Sequence, residues 1–436
     1  MTGTQTLVAR TALGATFACV GYLLSSSRRL LSLEKFRFDR FAIGAFALSR
    51  LGLYALIFLI LRIAPRGDIP SYYVPEGEQA MLHKLIYRDF DSSYAPLHPY
   101  LDGAFLHLWH SALMIILLAI VAEILTYPLW LRIGRAFLPE TTVRTAALLY
   151  LASPISLQFV TVDGQNNILI SALIALSIWM ILKHREAFAG ALVGIAIASV
   201  KFLPLIFVPA FFFSVPRRWR FTAAFAAVIA VVYGGVTLLH GNILDPLTRE
   251  GGIKSAGDLW FVIEAFTGLD LPNRLLDLIA VLVLCFVLAR AARVALRSPG
   301  QFVLTVLNAS MASLTMALLL FSKKSWPSYL MLALFPLCLI VSSEYPAKNK
   351  LRILCFNLFG CIAVVEHSVW ASTFSAGDAT WFHTALLQHQ PGAIAFLVLE
   401  LCLIGGYLWL FLESVRRIAP ESTLKAAQLE ELTATA

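Results

Sequence analysis

One aspartate and three lysines lie in short polar segments between long apolar runs. Asp68 follows the second apolar run, and Lys201, Lys323 and Lys324 border later ones. A carboxylate within hydrogen-bond reach of a hydroxyl can accept its proton when that hydroxyl acts as a nucleophile. Fixed cations can stabilise the negative charge that develops on a group such as a phosphate. These residue types therefore suit general-base catalysis by the aspartate, with lysines that hold an anion.

A further polar segment, "VTVDGQNN" at residues 160–167, directly precedes a predicted helix. The free backbone N–H groups and the positive end of a helix dipole favour an anion such as phosphate. Asn166 or Asn167 can instead cap that helix with its side chain. The sequence leaves both interpretations open.

Each of these residues also has a plainer structural interpretation. A single aspartate at a helix end can be a solvated charge or a cap, and lysines there can extend their amines to the membrane surface. Tyrosines and Trp326 can form the aromatic belt of a membrane protein. The spacing of the histidines predicts no metal site, so we expect no obligatory metal. The histidines considered are His107, His110, His240, His367 and His383.

The composition predicts the kind of structure that positions these residues. Of the 436 residues, 59% are hydrophobic and 14% are charged, and the mean hydropathy is +0.78. These three values lie outside the range of soluble globular chains. The sequence also contains runs of roughly 20 apolar residues, which are long enough to cross a bilayer. We expect an all-α polytopic membrane protein with a single transmembrane domain over residues 1–415. The six cysteines lie in apolar runs and predict neither disulfides nor a metal cluster.

The apolar runs divide into about thirteen predicted spans. We interpret the first as a retained helix rather than a signal peptide, because it lacks a preceding basic stretch and a clear cleavage pattern. Two short spans are predicted to meet at Lys201, since one long helix would place a basic end outside and Pro204 and Pro209 break its second half. The predicted spans are 7–24, 41–63, 110–132, 142–159, 167–183, 187–200, 202–215, 220–239, 275–295, 302–321, 327–343, 352–370 and 391–414.

The distribution of basic residues predicts the orientation of these spans. With the N-terminus outside, the inner loops and the tail 416–436 hold 22 Lys and Arg residues and the outer segments hold 11. Basic residues gather in cytoplasmic loops, so this bias explains the net charge of +8 without a nucleic-acid partner. The long outer loops are then 64–109 and 240–274, and the polar segments described above all lie outside.

The first outer loop is predicted to contain amphipathic helices that lie on the membrane surface. Apolar residues recur there at helical spacing, which is typical of a helix in the membrane interface. The two sets are Leu97, Tyr100, Leu101, Ala104, Phe105 and Leu108, and Met81, Leu82, Leu85 and Ile86.

The ordered set of polar motifs resembles the GT-C superfamily of membrane glycosyltransferases. It is similar to the bacterial branch of polyprenyl-phosphate-mannose-dependent mannosyltransferases, which is like glycosyltransferase family 87. The resemblance begins with Asp68 and covers much of residues 41–340. Its motifs are the tyrosines after Asp68, "YRDFDSSYAPL", "GQNNILISALIAL", "AGALVGIAIASVKFLPLIFVP" and "FSKKSWPSYLMLALFP". The sequence departs from the family pattern in its extra first helix, its "KKSW" motif and the loop from His240 to Asn273, which leave the acceptor open.

The resemblance implies a GT-C-like bundle of about 12–13 transmembrane helices in the plasma membrane. It implies transfer of a sugar, most simply mannose, from a polyprenyl-phosphate donor to an acceptor on the extracytoplasmic face, with inversion. The acceptor can be a glycolipid, a polysaccharide or a protein, and no cofactor is expected. Asp68 would be the general base. The donor phosphate would be bound by Lys201, Lys323, Lys324 and Arg88, and the sugar or acceptor by Tyr72, Tyr73, Tyr94, Asp163, Gln165, Asn166 and Trp326. Asp89 and Asp91 would orient Arg88.

Two other functions are compatible with the composition. A lipid or solute transporter, or a flippase, would place charges near the midplane between repeated halves. Only Arg50, Glu123 and Glu400 are predicted deep in spans, and these three charges are scattered among different spans. The sequence shows no repeat of two halves. A noncatalytic relative that scaffolds cell-envelope enzymes is the third alternative.

Overall fold

The computed structural model describes residues 3–297, 302–343, 346–375 and 377–419. These residues form α-helices and short helical turns and contain no β-strand, so the all-α prediction is confirmed. Most of the predicted cytoplasmic tail, beyond residue 419, lies outside the described residues. The α-helices are α1 Gly3–Ser25, α2 Arg28–Leu31, α3 Lys35–Tyr54, α4 Val74–Met81, α5 His98–Leu108, α6 Ala112–Gly134, α7 Glu140–Leu151, α8 Pro154–Ser156, α9 Asn167–Leu182, α10 Glu186–Ser199, α11 Val208–Ser214, α12 Arg218–Leu238, α13 Asp245–Glu250, α14 Leu259–Thr267, α15 Asn273–Ala295, α16 Phe302–Phe321, α17 Leu334–Ser342, α18 Pro346–Val369, α19 Ala379–Leu387 and α20 Pro391–Arg416. Short π-helical segments are Ala55–Ile60, Ile69–Tyr73, Leu157–Val162 and Trp370–Phe374, and 3₁₀ segments are Leu203–Phe207 and Pro327–Leu332.

Nine helices among the described residues are long and apolar enough to cross a membrane. Each coincides with a predicted span, and together they make the chain a multi-pass membrane protein. The other four predicted spans are shorter helical segments. The nine spans are Gln5–Ser25, Lys35–Ile60, Ala112–Gly134, Glu140–Val162, Arg218–Leu238, Asn273–Ala295, Val303–Phe321, Lys350–Phe374 and Pro391–Arg416.

The centre of the bundle is formed by α7, α16 and α17, whose side chains are almost wholly buried. Trp130 of α6 stacks on Phe335 of α17, and Tyr150 of α7 meets the same ring edge-on. The outer helices α12 and α15 instead expose large apolar side chains such as Leu238 and Phe286. Such exposure is unusual on a soluble protein but is expected where helices face lipid.

Two charges that the sequence placed apart in the spans form a buried ion pair. Arg50 of α3 lies 3.3 Å from Glu123 of α6, and both side chains are inaccessible to solvent. Ser156 donates to Glu123 at 2.5 Å and accepts from Arg50 at 2.6 Å. The prediction that these charges are scattered is therefore wrong for this pair. Glu400 likewise has a buried acidic neighbour, Glu366, which the sequence analysis did not consider.

The first outer loop contains one of the two predicted surface helices in full. Helix α5 covers the 97–108 pattern, but α4 ends at Met81, so the helix predicted over residues 81–86 is wrong. His83 and Tyr87 adopt left-handed backbone conformations, which turn the chain there. Helices α4 and α5 pack closely where Gly77 meets Gly103.

Helix α5 turns its polar face inward. Its apolar stripe is half-buried or exposed, and Leu108 at its end is 73% exposed. The buried face instead carries His98 and Asp102, together with Leu106. An apolar face that points away from the protein is suited to contact with lipid at the membrane surface.

The predicted break at Lys201 is present. Helix α10 ends at Ser199, and a 3₁₀ turn over Leu203–Phe207 leads into α11. Pro204 and Pro209 lie in the first turns of these two segments, where a missing N–H costs least.

The segment predicted as a single span over residues 327–343 is divided. A 3₁₀ turn, Pro327–Leu332, is followed at Ala333 by a backbone break (φ −137°) and then by α17. The segment is buried throughout, so its apolar composition reflects packing inside the bundle rather than contact with lipid.

Candidate active site

Asp68 lies where the chain leaves the second span and turns into the outer loop. Gly67, in a left-handed conformation (φ +70°), precedes it, and the π-helical turn Ile69–Tyr73 follows. The side-chain amide of Gln165 donates to the Asp68 Oδ2 at 3.1 Å, and the Tyr73 hydroxyl lies 3.5 Å from the same oxygen. Among the described residues these are its side-chain hydrogen bonds, so Oδ1 is left available.

Gly164 sets the distance between the two segments that meet at Asp68. Its backbone is left-handed (φ +58°), and a Cβ atom built there would lie 2.5 Å from Ile69 Cδ1 and 2.9 Å from Ile116 Cγ1. Glycine is therefore required both by conformation and by space. The close approach brings Gln165 within reach of Asp68.

Asp163 is held by the first helix. Arg10 of α1 lies 2.6 Å from Asp163 Oδ1, and Gln158 donates to Oδ2 at 2.9 Å. All three side chains are largely buried. The first helix, which the resemblance marks as an addition, thus contributes directly to the segment that contacts Asp68.

Neither asparagine of "DGQNN" caps α9. The Asn166 side chain is 2.7 Å from His98 Nε2, and the Asn167 amide is 3.3 Å from the Ser328 carbonyl oxygen. The N-terminus of α9 has no side-chain hydrogen bond from its N-cap residue. The capping interpretation is therefore wrong, because both side chains tie the segment to neighbouring elements.

Lys201 is placed beside aromatic rings by backbone contacts between the outer loop and α10. The N–H groups of Ala95 and Leu97 donate to the carbonyl oxygens of Val200 (2.9 Å) and Ala198 (2.8 Å). This docking sets the Tyr94 ring centroid 4.9 Å from the Lys201 amine. The ring of Tyr329 lies 5.6 Å from the same amine, and both distances are within the range of cation–π attraction.

The charges of Lys201, Lys324 and Asp68 influence one another. Burial lowers the pKa of Lys201, and the carboxylates of Asp68 and Glu76 act in the opposite direction. Burial and then the charge of Lys201 lower the pKa of Lys324 to about 8, while Asp68 opposes that change. Lys324 also contacts Glu250. Lys201, in contrast, forms no ion pair or conventional hydrogen bond with any described residue.

The site has an aromatic wall that the sequence analysis recognised only in part. The Tyr73 ring meets Tyr94 edge-on at 5.2 Å, and the exposed Tyr72 lies 6.3 Å from Tyr94. His98, which was not a candidate, stacks on Tyr94 with ring centroids 4.5 Å apart. Its Nδ1 lies 3.3 Å from Asp102 Oδ2, four residues later on α5. This i, i+4 spacing opposite an apolar stripe was the available sequence signal.

His98 is neutral in this environment. Burial, with a smaller contribution from the charge of Lys201, lowers the pKa of His98 to about 3. A neutral ring can accept from Asn166 at Nε2 while Nδ1–H faces Asp102. The histidine thereby joins α5, the "DGQNN" segment and the tyrosines into one wall.

Three predicted site residues make their principal contacts elsewhere. Arg88 is exposed and donates to Asp89 at 2.8 Å, as expected for an orienting carboxylate, but Asp91 contacts Arg249 instead. Lys323 lies 2.6 Å from Asp277. The Trp326 ring lies edge-on to His367 at 6.3 Å. None of these contacts reaches Asp68, Gln165 or Lys201.

In the part of the chain that the structure describes, no cluster of three or more His, Cys, Asp or Glu side chains has the arrangement of a metal site. The protonatable groups near Asp68 are instead lysines, tyrosines and the neutral His98.

The sequence model of glycosyltransferase family 87 matches residues 94–343. This range is more than half of the chain, and it contains Tyr94, Gln165, Lys201 and Lys324 but not Asp68. No curated protein matches the chain significantly. The match and the multi-pass helical architecture agree with the resemblance of the motifs. The chain therefore belongs to glycosyltransferase family 87 and is a membrane glycosyltransferase.

Proposed function

We propose that the protein transfers mannose from a polyprenyl-phosphate donor to an acceptor hydroxyl on the extracytoplasmic face of the plasma membrane. Asp68 is the general base, and the reaction inverts the configuration of the sugar. The observation that carries this proposal is the half-buried amine of Lys201, which is electrostatically coupled to Asp68 and forms no ion pair with a described residue. A cation without a counter-ion in a poorly solvated site is suited to an anion supplied by the substrate.

Lys201 and Lys324 are the proposed ligands of the donor phosphate. Transfer breaks the bond between the anomeric carbon and the phosphate oxygen, so negative charge grows on the lipid phosphate. Two fixed cations stabilise that charge without rearrangement at the moment of reaction. Lys324 already has a carboxylate partner in Glu250, and the donor phosphate would share or replace that contact. Arg88 and Lys323 are less suited to this role, since they pair with Asp89 and Asp277. Lys324, in contrast, is electrostatically coupled to both Lys201 and Asp68.

The hydrogen bonds of Asp68 support its role as the base. Gln165 and Tyr73 both reach Oδ2, which leaves Oδ1 to accept the proton of the acceptor hydroxyl. The acceptor oxygen then bonds to the anomeric carbon as the phosphate leaves. A phosphate leaving group needs no strong acid, and a single displacement inverts the anomeric centre.

Of the tyrosines predicted to bind the sugar, Tyr72 is the proposed direct contact, and Tyr73 and Tyr94 support it from behind. Tyr72 is 49% exposed at the edge of the aromatic wall, and Tyr73 is buried behind it. Asp163 and Asn166 are already bound to Arg10 and His98, so we assign them to positioning rather than to direct contact with the sugar.

The membrane location of the donor agrees with the surface around the site. The outward apolar face of α5 ends in exposed Leu108 and Trp109, which can rest among lipid chains. The two-to-one excess of basic residues in the predicted inner loops supports an extracytoplasmic location for this end of the bundle.

The test is sugar transfer by purified protein from a radiolabelled polyprenyl-phosphate mannose to envelope glycolipid. Asp68→Asn should abolish transfer while the thermal midpoint of unfolding stays close to that of the unmodified protein. Asp91→Asn is the matched control, because Asp91 is an exposed aspartate of the same loop that pairs with Arg249. Full activity of Asp68→Asn would remove Asp68 from the mechanism.

The phosphate role is tested by Lys201→Ala and Lys324→Ala. Loss of one such charge contact should lower the rate by about 10²–10³-fold. Lys84→Ala is the control, since Lys84 lies in the outer loop and its amine donates to Gln79, its one side-chain hydrogen bond among the described residues. Unchanged turnover in both site variants would leave the donor phosphate without its proposed ligands.

A transporter or flippase is the rival function, and the Arg50–Glu123 pair weakens it. Among the described residues, Arg50 contacts one carboxylate oxygen of Glu123 and Ser156 donates to the other. Neither Glu123 oxygen is therefore left for a transported ion. Reconstituted protein that scrambles labelled lipid across liposomes but transfers no sugar would favour the flippase.

A further inference from the structure

A cavity lies away from the Asp68 group. Its volume is about 360 Å³, which is in the range of small-molecule sites. Its walls come from the segment before α14, from α14 itself, from the region that leads into α19, and from the late lysine segment. Side chains that matter for its chemistry are Lys254, Asp258, Trp260, Lys323, Trp370 and Thr380.

Asp258 brings an unsatisfied oxygen to this cavity. Its side chain is 1% exposed, and its Oδ1 accepts the Phe261 N–H at 2.9 Å as the N-cap of α14. Its Oδ2 is buried and has no hydrogen-bond partner among the described residues. A buried polar atom without a partner is costly, so a ligand hydroxyl that reached this oxygen would be stabilised.

The other charges in the cavity are already paired. The Lys254 amine lies 2.5 Å from Glu264 and 2.7 Å from Asp270. The Lys323 amine lies 2.6 Å from Asp277. With its lysines neutralised and acidic groups in the majority, the cavity disfavours a phosphate or a carboxylate.

The remaining lining suits an uncharged ligand with hydroxyl groups. Burial raises the pKa of Asp258 well above its usual range, so this group does not strongly favour a cation. Trp260 supplies an aromatic ring to the lining, and its indole is fixed by donation to the Phe321 carbonyl oxygen at 2.7 Å. Trp370 also lines the cavity, but its ring stacks on Phe396 with centroids 5.9 Å apart. Flat rings beside hydrogen-bonding groups match the two kinds of surface that a sugar ring presents.

One stretch of backbone connects this cavity to the Asp68 group. Ser255, in the cavity wall, donates its N–H to the Lys323 carbonyl oxygen at 3.0 Å and its hydroxyl to the Ser325 carbonyl oxygen at 2.8 Å. Lys323 faces the cavity, whereas the next residue, Lys324, is electrostatically coupled to Lys201 and Asp68.

We propose that this cavity binds an uncharged saccharide unit of the acceptor, away from the hydroxyl that reacts. The inference rests on the proposed function for the identity of the ligand as an acceptor. Binding of the saccharide itself does not depend on turnover. This separation allows the two proposals to fail independently.

The first experiment measures binding without catalysis. Methyl α-D-mannopyranoside is titrated into detergent-solubilised protein, and the thermal midpoint is followed, since a ligand of the folded state raises it with concentration. We expect a saturable rise in the unmodified protein. Thr380→Trp should abolish it, because Thr380 is an exposed residue of the cavity rim where a large ring fits without disturbing the core.

Asp258→Ser separates the free oxygen from the helix cap. Serine is also a good N-cap, so α14 is retained, but serine has no second side-chain oxygen for the ligand. We expect saccharide affinity to fall about tenfold or more, the usual scale for a hydrogen bond to a buried polar group. Asp91→Ser is the control, because Asp91 is an exposed aspartate that pairs with Arg249 and does not line the cavity.

The second experiment measures transfer with acceptor and donor varied separately. Thr380→Trp and Asp258→Ser should raise the acceptor KM about tenfold or more and leave the donor KM unchanged. The proposal is overturned if D-glucuronate stabilises the protein as well as the neutral glycoside does, or if Thr380→Trp alters neither binding nor the acceptor KM. Saccharide binding without sugar transfer would contradict the proposed function alone.

Discussion

The Gln165 side-chain amide lies 3.1 Å from the Asp68 carboxylate and donates a hydrogen bond to its Oδ2. This bond joins the turn after the second span to the segment before α9. It fixes which carboxylate oxygen remains free, so Gln165 is a positioning residue for the proposed base.

We therefore expect Gln165→Ala to lower kcat by about 10–100-fold, the range for loss of a hydrogen bond to a charged group. The donor KM should change little, because Lys201 and Lys324 remain in place. Initial rates at varied donor concentration provide the measurement. Gln388→Ala, at the exposed end of α19, should behave as the unmodified protein does. A variant that raised only the donor KM would instead assign Gln165 to donor binding.

Gly164→Ala is expected to disturb the same junction from the backbone. The alanine Cβ atom would lie 2.5 Å from Ile69 Cδ1, and the backbone there is left-handed (φ +58°). Either Ile69 or the loop must therefore move. Such strain typically costs about 1–3 kcal/mol of folding free energy. Both the thermal midpoint and kcat should fall, since Ile69 is the neighbour of Asp68. Gly44→Ala, where a Cβ atom meets nothing within 4 Å, should leave both unchanged.

The sequence predicted the helix break at Lys201. Lys201 interrupts an otherwise apolar stretch, and the prolines that follow it predicted the break that the structure contains. Lys323 was as prominent as Lys324 in the sequence, yet the two side chains have different partners. The side chains of adjacent residues point in different directions, and only the tertiary fold determines which partners each side chain meets.

Long-range partners were the part that could not be predicted. Arg10 lies in an ordinary apolar helix, and nothing local indicates that α1 packs beside residue 163. His98 and Asp102 were overlooked because the apolar stripe of α5 was taken as its principal face, whereas their opposite face is the buried one. Amphipathic periodicity identifies two faces of a helix, but near a membrane it does not decide which one faces the protein.

Glu76 should make the stability of the protein depend on pH. Burial raises the pKa of Glu76 from 4.5 to about 7, against the smaller opposing effects of the Ser92 hydrogen bond and of Arg249 and Lys201. The folded state therefore retains a proton that the unfolded chain releases above about pH 4.5. This contribution to stability is complete below that pH and is lost as the pH rises through about 7.

Glu76→Gln keeps a neutral side chain that can still accept from Ser92, so its stability should lack this pH dependence. The difference in unfolding free energy between the two proteins should change by on the order of 3 kcal/mol, in favour of the variant, between about pH 4.5 and about pH 8. Thermal midpoints across this range give the direction. Glu78→Gln, on the same helix but more exposed, is the control. Parallel pH curves for the unmodified protein and Glu76→Gln would contradict this assignment.

The last prediction concerns the first helix, which lies outside the part of the chain that matches the family. Arg10 and Asp163 are 2.6 Å apart with side chains only 15% and 10% exposed. Removal of one member of a buried pair leaves the other charge uncompensated and can cost about 3–5 kcal/mol. We expect Arg10→Met to lower both the thermal midpoint and kcat, because the "DGQNN" segment loses its support behind Gln165.

A double-mutant cycle with Arg10→Met and Asp163→Asn separates this interaction from the general packing of α1. The double variant should be more stable than the sum of the single losses predicts, with a coupling energy of about 0.5–3 kcal/mol. Arg37→Ala is the control for loss of a basic residue, since Arg37 and its partner Glu34 are both exposed and 3.8 Å apart. If the two single losses simply add, α1 supports the site through packing alone. Restored stability without restored kcat would show that Asp163 also acts on the orientation of Gln165, since an ion pair that served only folding would recover both together.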